Sequence, residues 1–282
     1  MICGGCGAEP PRLYCGAGLR PPVAEAVDLF GRRNGVEIAS DYAGSEVLLS
    51  RIKLTGEGDL YMPGDAYYVD LSAGEGLIAS QTPVCYFVPV ILVQKGNPKK
   101  IHGLADLTRP DVGVGLGDPE ACAVGRITAS ILQKNGIPPE DVNVKVRTVT
   151  VNELVNHVKL KTLDAAVVWD AVAAFAPNET EAVAIPAAEN IVSTVAIAIL
   201  KSSKHPELAR KFVEFIASDE GRKIFEKHHY TTTLGPDADS SPLVPPAEQG
   251  PGSHSSPLRR GGQKSGNASS PLPQPRLGTI AT

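Results

Sequence analysis

The sequence is poor in aromatic residues and in net charge, and it has no long apolar run. Aromatic side chains make up 5% of its 282 residues, and the formal net charge is −4. A mildly acidic chain lacks the basic face that a nucleic-acid partner requires, so no such partner is expected. No apolar run reaches the roughly 18 residues of a membrane span, and the longest, at 84–93, is interrupted by Pro89.

Cysteine is scarce, and no secretory leader is visible. Among the five cysteines, Cys3 and Cys6 have the spacing of a metal-ligand pair, but no second pair follows, so we do not expect a zinc site. The first residues contain neither the basic nor the apolar segment of a signal peptide. Two locations therefore stay open: the cytoplasm, or outside it if a signal has been lost from this chain.

Familiar catalytic motifs are also missing. The sequence contains neither the Gly-x-Ser-x-Gly elbow of hydrolases nor the Gly-Lys-Ser/Thr of a phosphate-binding loop. Its six histidines stand away from the turns at which strands pass into helices. A catalytic site needs a general base close to the reacting group. We therefore expect a binding protein and not an enzyme, with no resident metal or cofactor.

The most informative stretch that is present runs from 112 to 131. A short apolar strand meets a Gly-Asp-Pro turn at 117–119, and a helix is predicted to begin at 121–124 with Val124 and Ile127 inward. The first N–H groups of a helix have no partner within the helix. Together with the helix dipole, they attract an anion. The stretch is typical of an ordinary strand–helix connection or of an anion site.

The same arrangement of strand, small residues and helix recurs along the chain. It occurs at five places, marked by Gly18, Ser45, Gly64, Val124 and Val151. Ser45 is predicted to be the N-cap of its helix, and Thr150 and Glu153 to form a capping box. Such alternation predicts an α/β fold with a mostly parallel sheet covered by helices.

These turns are expected to meet, because ligands of open α/β sheets bind outside the carboxyl ends of the strands. The only charged side chains close to them are Arg20, Asp65, Glu120 and Arg126. A site lined by N–H groups, one hydroxyl and small side chains suits a fully ionised oxyanion.

Two long β-like runs, at 84–94 and 191–200, divide the chain. Three of the five turns precede the first run, and two lie between the runs. After 233 the composition changes to Pro, Ser and Gly. Such a segment buries too little apolar surface to offset the entropy of ordering, so 234–282 is predicted to be a disordered tail.

At these positions the sequence resembles the molybdate- and tungstate-binding proteins of bacterial ABC transporters, within the class II periplasmic binding-protein fold. The resemblance covers about 13–231, and its most specific part is the Gly-Asp-Pro-Glu turn at 117–120 with Gly125-Arg126 after it. The supporting motifs are Gly16-Ala17-Gly18-Leu19-Arg20, Asp41-Tyr42-Ala43-Gly44-Ser45, Val167-Val168-Trp169-Asp170 and Ser218-Asp219-Glu220-Gly221.

The resemblance implies two lobes, each a mostly parallel sheet flanked by helices, with the anion between them. Residues 12–88 and 194–233 would form the first lobe, and 89–193 the second.

By motif position, the resemblance implies that the oxyanion is bound by Gly18, Ser45, Gly64, Val124, Val151 and Trp169. The family commonly has serine where this chain has Gly18, so one hydroxyl donor is lost and the backbone N–H remains. It usually has tyrosine where this chain has Trp169, which offers an indole N–H in place of a phenol. Both departures affect which anion is bound.

We therefore hypothesise a monomeric solute-binding protein that closes on molybdate or tungstate by hinge motion. It would deliver the anion to the membrane permease of an ABC transporter, and the resemblance implies a periplasmic or extracellular, membrane-associated location. The first alternative is the same fold with sulfate, phosphate or a carboxylate as ligand. The second is a cytoplasmic anion-sensing domain. The third, an enzyme acting on a phosphorylated metabolite, lacks a general base at the strand ends.

Overall fold

A computed structural model describes residues 9–234, in which strands and helices alternate. The strands are β1 (Arg12–Gly16), β2 (Ala39–Ala43), β3 (Leu60–Met62), β4 (Ile78–Phe87), β5 (Pro89–Gln94), β6 (Val114–Gly117), β7 (Val144–Thr148), β8 (Ala165–Trp169), β9 (Thr180–Ala184) and β10 (Ser193–Leu200). The α-helices are α1 (Arg20–Asn34), α2 (Ser45–Thr55), α3 (Ala66–Gly74), α4 (Ala123–Lys134), α5 (Val151–Lys159), α6 (Asp170–Ala173), α7 (Pro206–Ile216) and α8 (Asp219–Lys227). Short 3-10 helices occupy Ala17–Leu19, Leu104–Thr108 and Pro139–Asp141.

The strands form two five-stranded sheets, with the orders β2-β1-β3-β10-β4 and β7-β6-β8-β5-β9. In the first sheet, β1 is parallel to β2 and β3, and β10 is antiparallel to β3 and β4. In the second, β6 is parallel to β7 and β8, and β5 is antiparallel to β8 and β9. We call the parts of the protein built on these sheets the first and second lobes. The predicted α/β fold with two helix-flanked sheets is confirmed.

The chain enters the second sheet at β5 and returns to the first sheet at β10. Pro89, at the start of β5, pairs with Trp169 at the end of β8, and Ser193, at the start of β10, pairs with Phe87 at the end of β4. Both strands therefore enter at the end where the parallel strands finish, which explains their antiparallel direction. The lobes meet at these carboxyl ends.

The β-like run at 84–94 is divided between two strands in different sheets, β4 and β5. Between them, the Val88 N–H donates to Asp170 Oδ1 at 3.2 Å, and the Val88 carbonyl accepts the Asp170 N–H at 2.8 Å. The chain passes from the first sheet to the second at Val88, because the backbone of Val88 bonds to Asp170 and not to a neighbouring strand. Burial raises the pKa of the Asp170 carboxyl, against backbone N–H donors that lower it.

Local sequence signals set several helix ends. Helices α1 and α2 end at Gly35 and Gly56, each with φ of 64°, the left-handed conformation that glycine adopts most easily. Val124 and Ile127 on α4 are at most 1% exposed, as their helical spacing predicts. The four-residue α6 and the edge strand β9 have no clear periodicity, and the sequence does not predict them.

The chain passes between the lobes at Val88 and returns between β9 and β10. The residue boundaries given above for the lobes stay a prediction. The predicted tail lies outside the described residues except for Leu234, and so do Cys3 and Cys6. Between residues 9 and 234, every helix is too short or too polar to cross a lipid bilayer.

Candidate anion site

One small cavity, of about 20 Å³, lies where the two lobes meet. Its lining includes all six residues that the resemblance implies, three from turns of the first lobe and three from the second. The lining consists of Gly16, Ala17, Gly18, Leu19, Ala43, Gly44, Ser45, Gly64, Phe87, Cys122, Ala123, Val124, Thr150, Val151 and Trp169. The structure therefore brings the predicted positions together, while their contacts with a ligand stay a prediction.

Helices α2, α4 and α5 begin at this cavity, and none has a side-chain hydrogen bond to its first turn. In contrast, α3 and α8 begin outside the lining and are capped. Asp65 accepts the Tyr67 N–H, and Ser218 accepts the Gly221 N–H. The first N–H groups of α2, α4 and α5 are thus left for a ligand, and three helix dipoles favour an anion there.

The prediction that Ser45 is an N-cap is wrong, because Gly44 holds that position and Ser45 is the first helical residue. The Ser45 side chain is 3% exposed, and its Oγ accepts the Gly64 N–H at 3.1 Å. A hydroxyl that already accepts a hydrogen bond keeps its own hydrogen for donation. Ser45 is therefore prepared to donate into the cavity. Gly64 orients this hydroxyl in the structure, so its N–H is not free for direct donation.

The predicted capping box at α5 does not form. The Thr150 hydroxyl donates to Glu153 Oε1 at 2.7 Å instead of accepting the Glu153 N–H. A carboxylate is a strong acceptor for a hydroxyl, which explains this choice. As a result, the first turn of α5 presents uncapped N–H groups beside Val151.

Gly18 lies against Val151 and close to Trp169. A Cβ at position 18 would lie 2.9 Å from Val151 Cγ1 and 3.6 Å from Trp169 Cδ1, the carbon next to the indole nitrogen. Trp169 is 2% exposed and stacks on Phe87 with ring centroids 4.7 Å apart. A side chain at position 18 would therefore collide first with Val151, whereas its approach to Trp169 is an ordinary van der Waals contact.

Sequence reasoning missed Cys122, which is the N-cap residue of α4 and lines the cavity. Its position just before a predicted helix start is the signal that could have identified it. Burial raises the pKa of the Cys122 thiol to about 11, although the N–H groups of Val124 and Gly125 oppose this shift. The thiol is therefore neutral near pH 7. Phe87 was also missed, because nothing local in its strand marks it as part of a site.

The cavity lining contains no charged side chain. Of the four charged residues near the turns, Arg20 lies over the Tyr42 ring at 5.2 Å, Arg126 pairs with Asp65, and Glu120 is exposed. In the described part of the chain, no group of three or more His, Cys, Asp or Glu side chains could hold a metal ion. The site is thus built from neutral dipoles, which can complement an anion without a counter-charge.

The sequence matches a known protein family over most of its length. The family model of bacterial extracellular solute-binding proteins matches residues 11–231. The chain belongs to this family. A relative from Mycobacterium tuberculosis, the molybdate-binding protein ModA, is 30% identical over 223 residues, which are 78% of this chain and 84% of the relative.

Solved structures of solute-binding proteins share the fold. The periplasmic molybdate-binding protein of Azotobacter vinelandii has a TM-score of 0.67 at 13% identity, with 79% of this chain and 100% of that chain covered. The sulfate-binding protein SubI of Mycobacterium tuberculosis has a TM-score of 0.70 at 19% identity, covering 82% and 89% of the two chains. At these identities the likeness concerns the fold, and proteins for two different oxyanions share it.

Proposed function

We propose that this solute-binding protein binds molybdate or tungstate between its lobes and delivers it to the permease of an ABC transporter. The observation that carries the proposal is the neutral cavity at which three uncapped helices begin. Such a site stabilises a fully ionised anion through N–H groups and helix dipoles. The relative with 30% identity is a molybdate-binding protein. This similarity supports molybdate, more than other anions, as the ligand proposed here.

The size of the cavity supports a compact inorganic anion. A volume of about 20 Å³ corresponds to space for roughly one or two water molecules. One tetrahedral ion suits such a space better than a sugar phosphate. Sulfate is the second candidate, because it has the same shape and the fold also occurs in a sulfate-binding protein.

The remaining parts of the proposal follow from this role. A protein that transfers an anion to a membrane permease would act outside the cytoplasm, and binding would occur without catalysis or a cofactor. The lining offers no carboxylate or imidazole as a general base, and its one thiol is neutral near pH 7. We also propose that the protein acts as a monomer.

Isothermal titration calorimetry of the full chain tests the proposal. Molybdate, tungstate, sulfate, phosphate and fructose 6-phosphate are titrated separately, and molybdate and tungstate are expected to bind more tightly than the others by at least about tenfold. Tight binding of sulfate with weak binding of molybdate would assign the protein to sulfate. A preference for the sugar phosphate would contradict the compact-anion site.

Replacement of Trp169 by phenylalanine is expected to weaken molybdate binding about tenfold or more, because a hydrogen bond to a charged group contributes about 1.5–3 kcal/mol. Phenylalanine keeps a ring to stack on Phe87 but removes the indole N–H. Trp169→Tyr is the matched control, since it restores a donor and should recover part of the affinity. Calorimetry that gives equal affinities for wild type and Trp169→Phe would exclude the indole as a donor.

Alkylation of Cys122 by iodoacetamide is expected to report on the occupancy of the cavity. The thiolate is the reactive form, and the pKa is about 11. In the pH range below about 11, the alkylation rate should therefore rise about tenfold for each unit by which the pH is increased. Saturating molybdate should slow the reaction at constant pH by keeping the lobes closed. Peptide mapping by mass spectrometry measures the alkylation of Cys122 separately from that of the other cysteines. The core residues Cys15 and Cys85 are internal controls. Ligand-independent labelling of Cys122 would place the anion elsewhere.

A further inference from the structure

A buried ion pair connects the two lobes beside the cavity. Asp65 precedes α3 in the first lobe, and Arg126 lies in the first turns of α4 in the second. Arg126 Nη2 donates to Asp65 Oδ2, and the two side chains are 21% and 0% exposed. Resting on the function proposed above, we propose that Asp65 and Arg126 are positioning residues that lock the lobes together when the anion is bound.

Each partner is anchored by a further contact. Asp65 Oδ1 accepts the Tyr67 N–H at 2.9 Å, so the carboxylate also caps α3. The Arg126 guanidinium lies over the Tyr67 ring, 4.3 Å from its centroid. A planar guanidinium suits both the carboxylate and the aromatic face. The pair is therefore held in one geometry when the lobes are closed.

The pair is next to the candidate anion contacts on both sides. Asp65 follows Gly64, whose N–H orients the Ser45 hydroxyl at 3.1 Å. Arg126 is two residues beyond Val124, at the uncapped start of α4. Contact between Asp65 and Arg126 therefore fixes the N-terminus of α4 against the Ser45–Gly64 side of the cavity. Neither charged residue lines the cavity, so both act through these neighbours.

When the lobes close, the charges of Asp65 and Arg126 pair with each other. Burial raises the pKa of the Asp65 carboxyl, and the nearby Arg126 charge opposes that shift. In separated lobes, water would solvate both groups, whereas in closed lobes a single unpaired charge would be costly. The pair can therefore stabilise only the closed form, and its loss should speed release of the anion more than it slows capture.

A double-mutant cycle tests the proposal with Asp65→Asn, Arg126→Gln and the double variant in the full chain. Asparagine keeps an oxygen that can cap α3. Each single change is expected to weaken molybdate binding about tenfold, mainly through faster dissociation, and the double variant should be no weaker than the singles. The same cycle on the melting temperature of the ligand-free protein should show no coupling, because the open lobes do not form the pair.

The control is Arg33→Gln, which removes an ion pair between Arg33 and Glu220 within the first lobe and should leave molybdate affinity unchanged. If the wild type binds the anion, additive affinity losses in the cycle would overturn the proposal that Asp65 and Arg126 lock the lobes. Equal coupling in the ligand-free protein would overturn it as well. A wild-type protein that bound none of the titrated anions would instead overturn the proposed function, and the lock with it.

Discussion

Gly44→Ser is expected to weaken molybdate binding about 10- to 100-fold, the effect of an overpacking cost of about 1–3 kcal/mol in the closed form. A Cβ at Gly44 would lie 2.5 Å from the Val149 carbonyl oxygen and 2.9 Å from that of Ala121. Both carbonyls belong to the second lobe, so the clash arises only when the lobes close.

Serine suits the position in all other respects. Gly44 has φ −63° and ψ 149° as the N-cap of α2, a conformation that serine adopts readily and a position that it favours. The free energy of unfolding of the ligand-free protein should therefore be unchanged or slightly higher. Calorimetry gives the affinity, and thermal melting gives the stability.

Small-angle scattering completes the Gly44 experiment. Saturating molybdate should reduce the radius of gyration of wild type but not that of Gly44→Ser at the same concentration. Gly74→Ser is the matched control, because a Cβ at Gly74 meets nothing within 4 Å. Closure and affinity that remain normal in Gly44→Ser would show that the ligand-bound lobes do not approach as they do in this structure.

Ser45→Ala is expected to weaken the binding free energy of molybdate by about 1.5–3 kcal/mol, the contribution of a hydrogen bond to a charged group. Its hydroxyl lies in the lining and already accepts the Gly64 N–H, so it is available as a donor. The change also leaves that N–H without its acceptor, which should lower the stability of the ligand-free protein by about 1 kcal/mol.

Affinity and stability must therefore be measured separately for Ser45→Ala. Ser50→Ala is the control on the same helix, since Ser50 is exposed and forms only a long hydrogen bond of 3.4 Å to Glu46. It should change neither quantity. Reduced stability with full affinity would leave Ser45 as a support for Gly64 and remove it from the anion site.

Much of the site follows from local sequence. Gly18, Ser45, Gly64, Val124 and Val151 all come after strands, and the carboxyl ends of parallel strands meet at one edge. The structure places all five in one cavity lining. The sequence patterns around these residues do not predict the hydrogen bonds at the starts of the helices. Ser45 is one residue past the N-cap, and Thr150 donates to Glu153 without capping α5.

Other features depend on groups that are distant in sequence. The run at 84–94 has one uniform β pattern, and only the bonds of Val88 to Asp170 divide it between two sheets. Likewise, the sequence shows Asp65 and Arg126 only as charges near turns, and their pairing depends on the approach of the lobes. Periodicity reports the burial of one segment and carries no information about its partner in another segment.

Spacing and residue type act locally, so they predict the alternation of strands and helices and the small, uncharged residues at the turns. Only the folded structure shows which N–H groups remain free, what fills the space above Gly18 and which charges pair across the lobes. The filling of the space above Gly18 and the pairing of charges depend on packing between segments that are far apart in sequence, and Asp65 and Arg126 are 61 residues apart. The cavity of about 20 Å³ is lined by turns of both lobes, so its lining depends on how the two lobes meet.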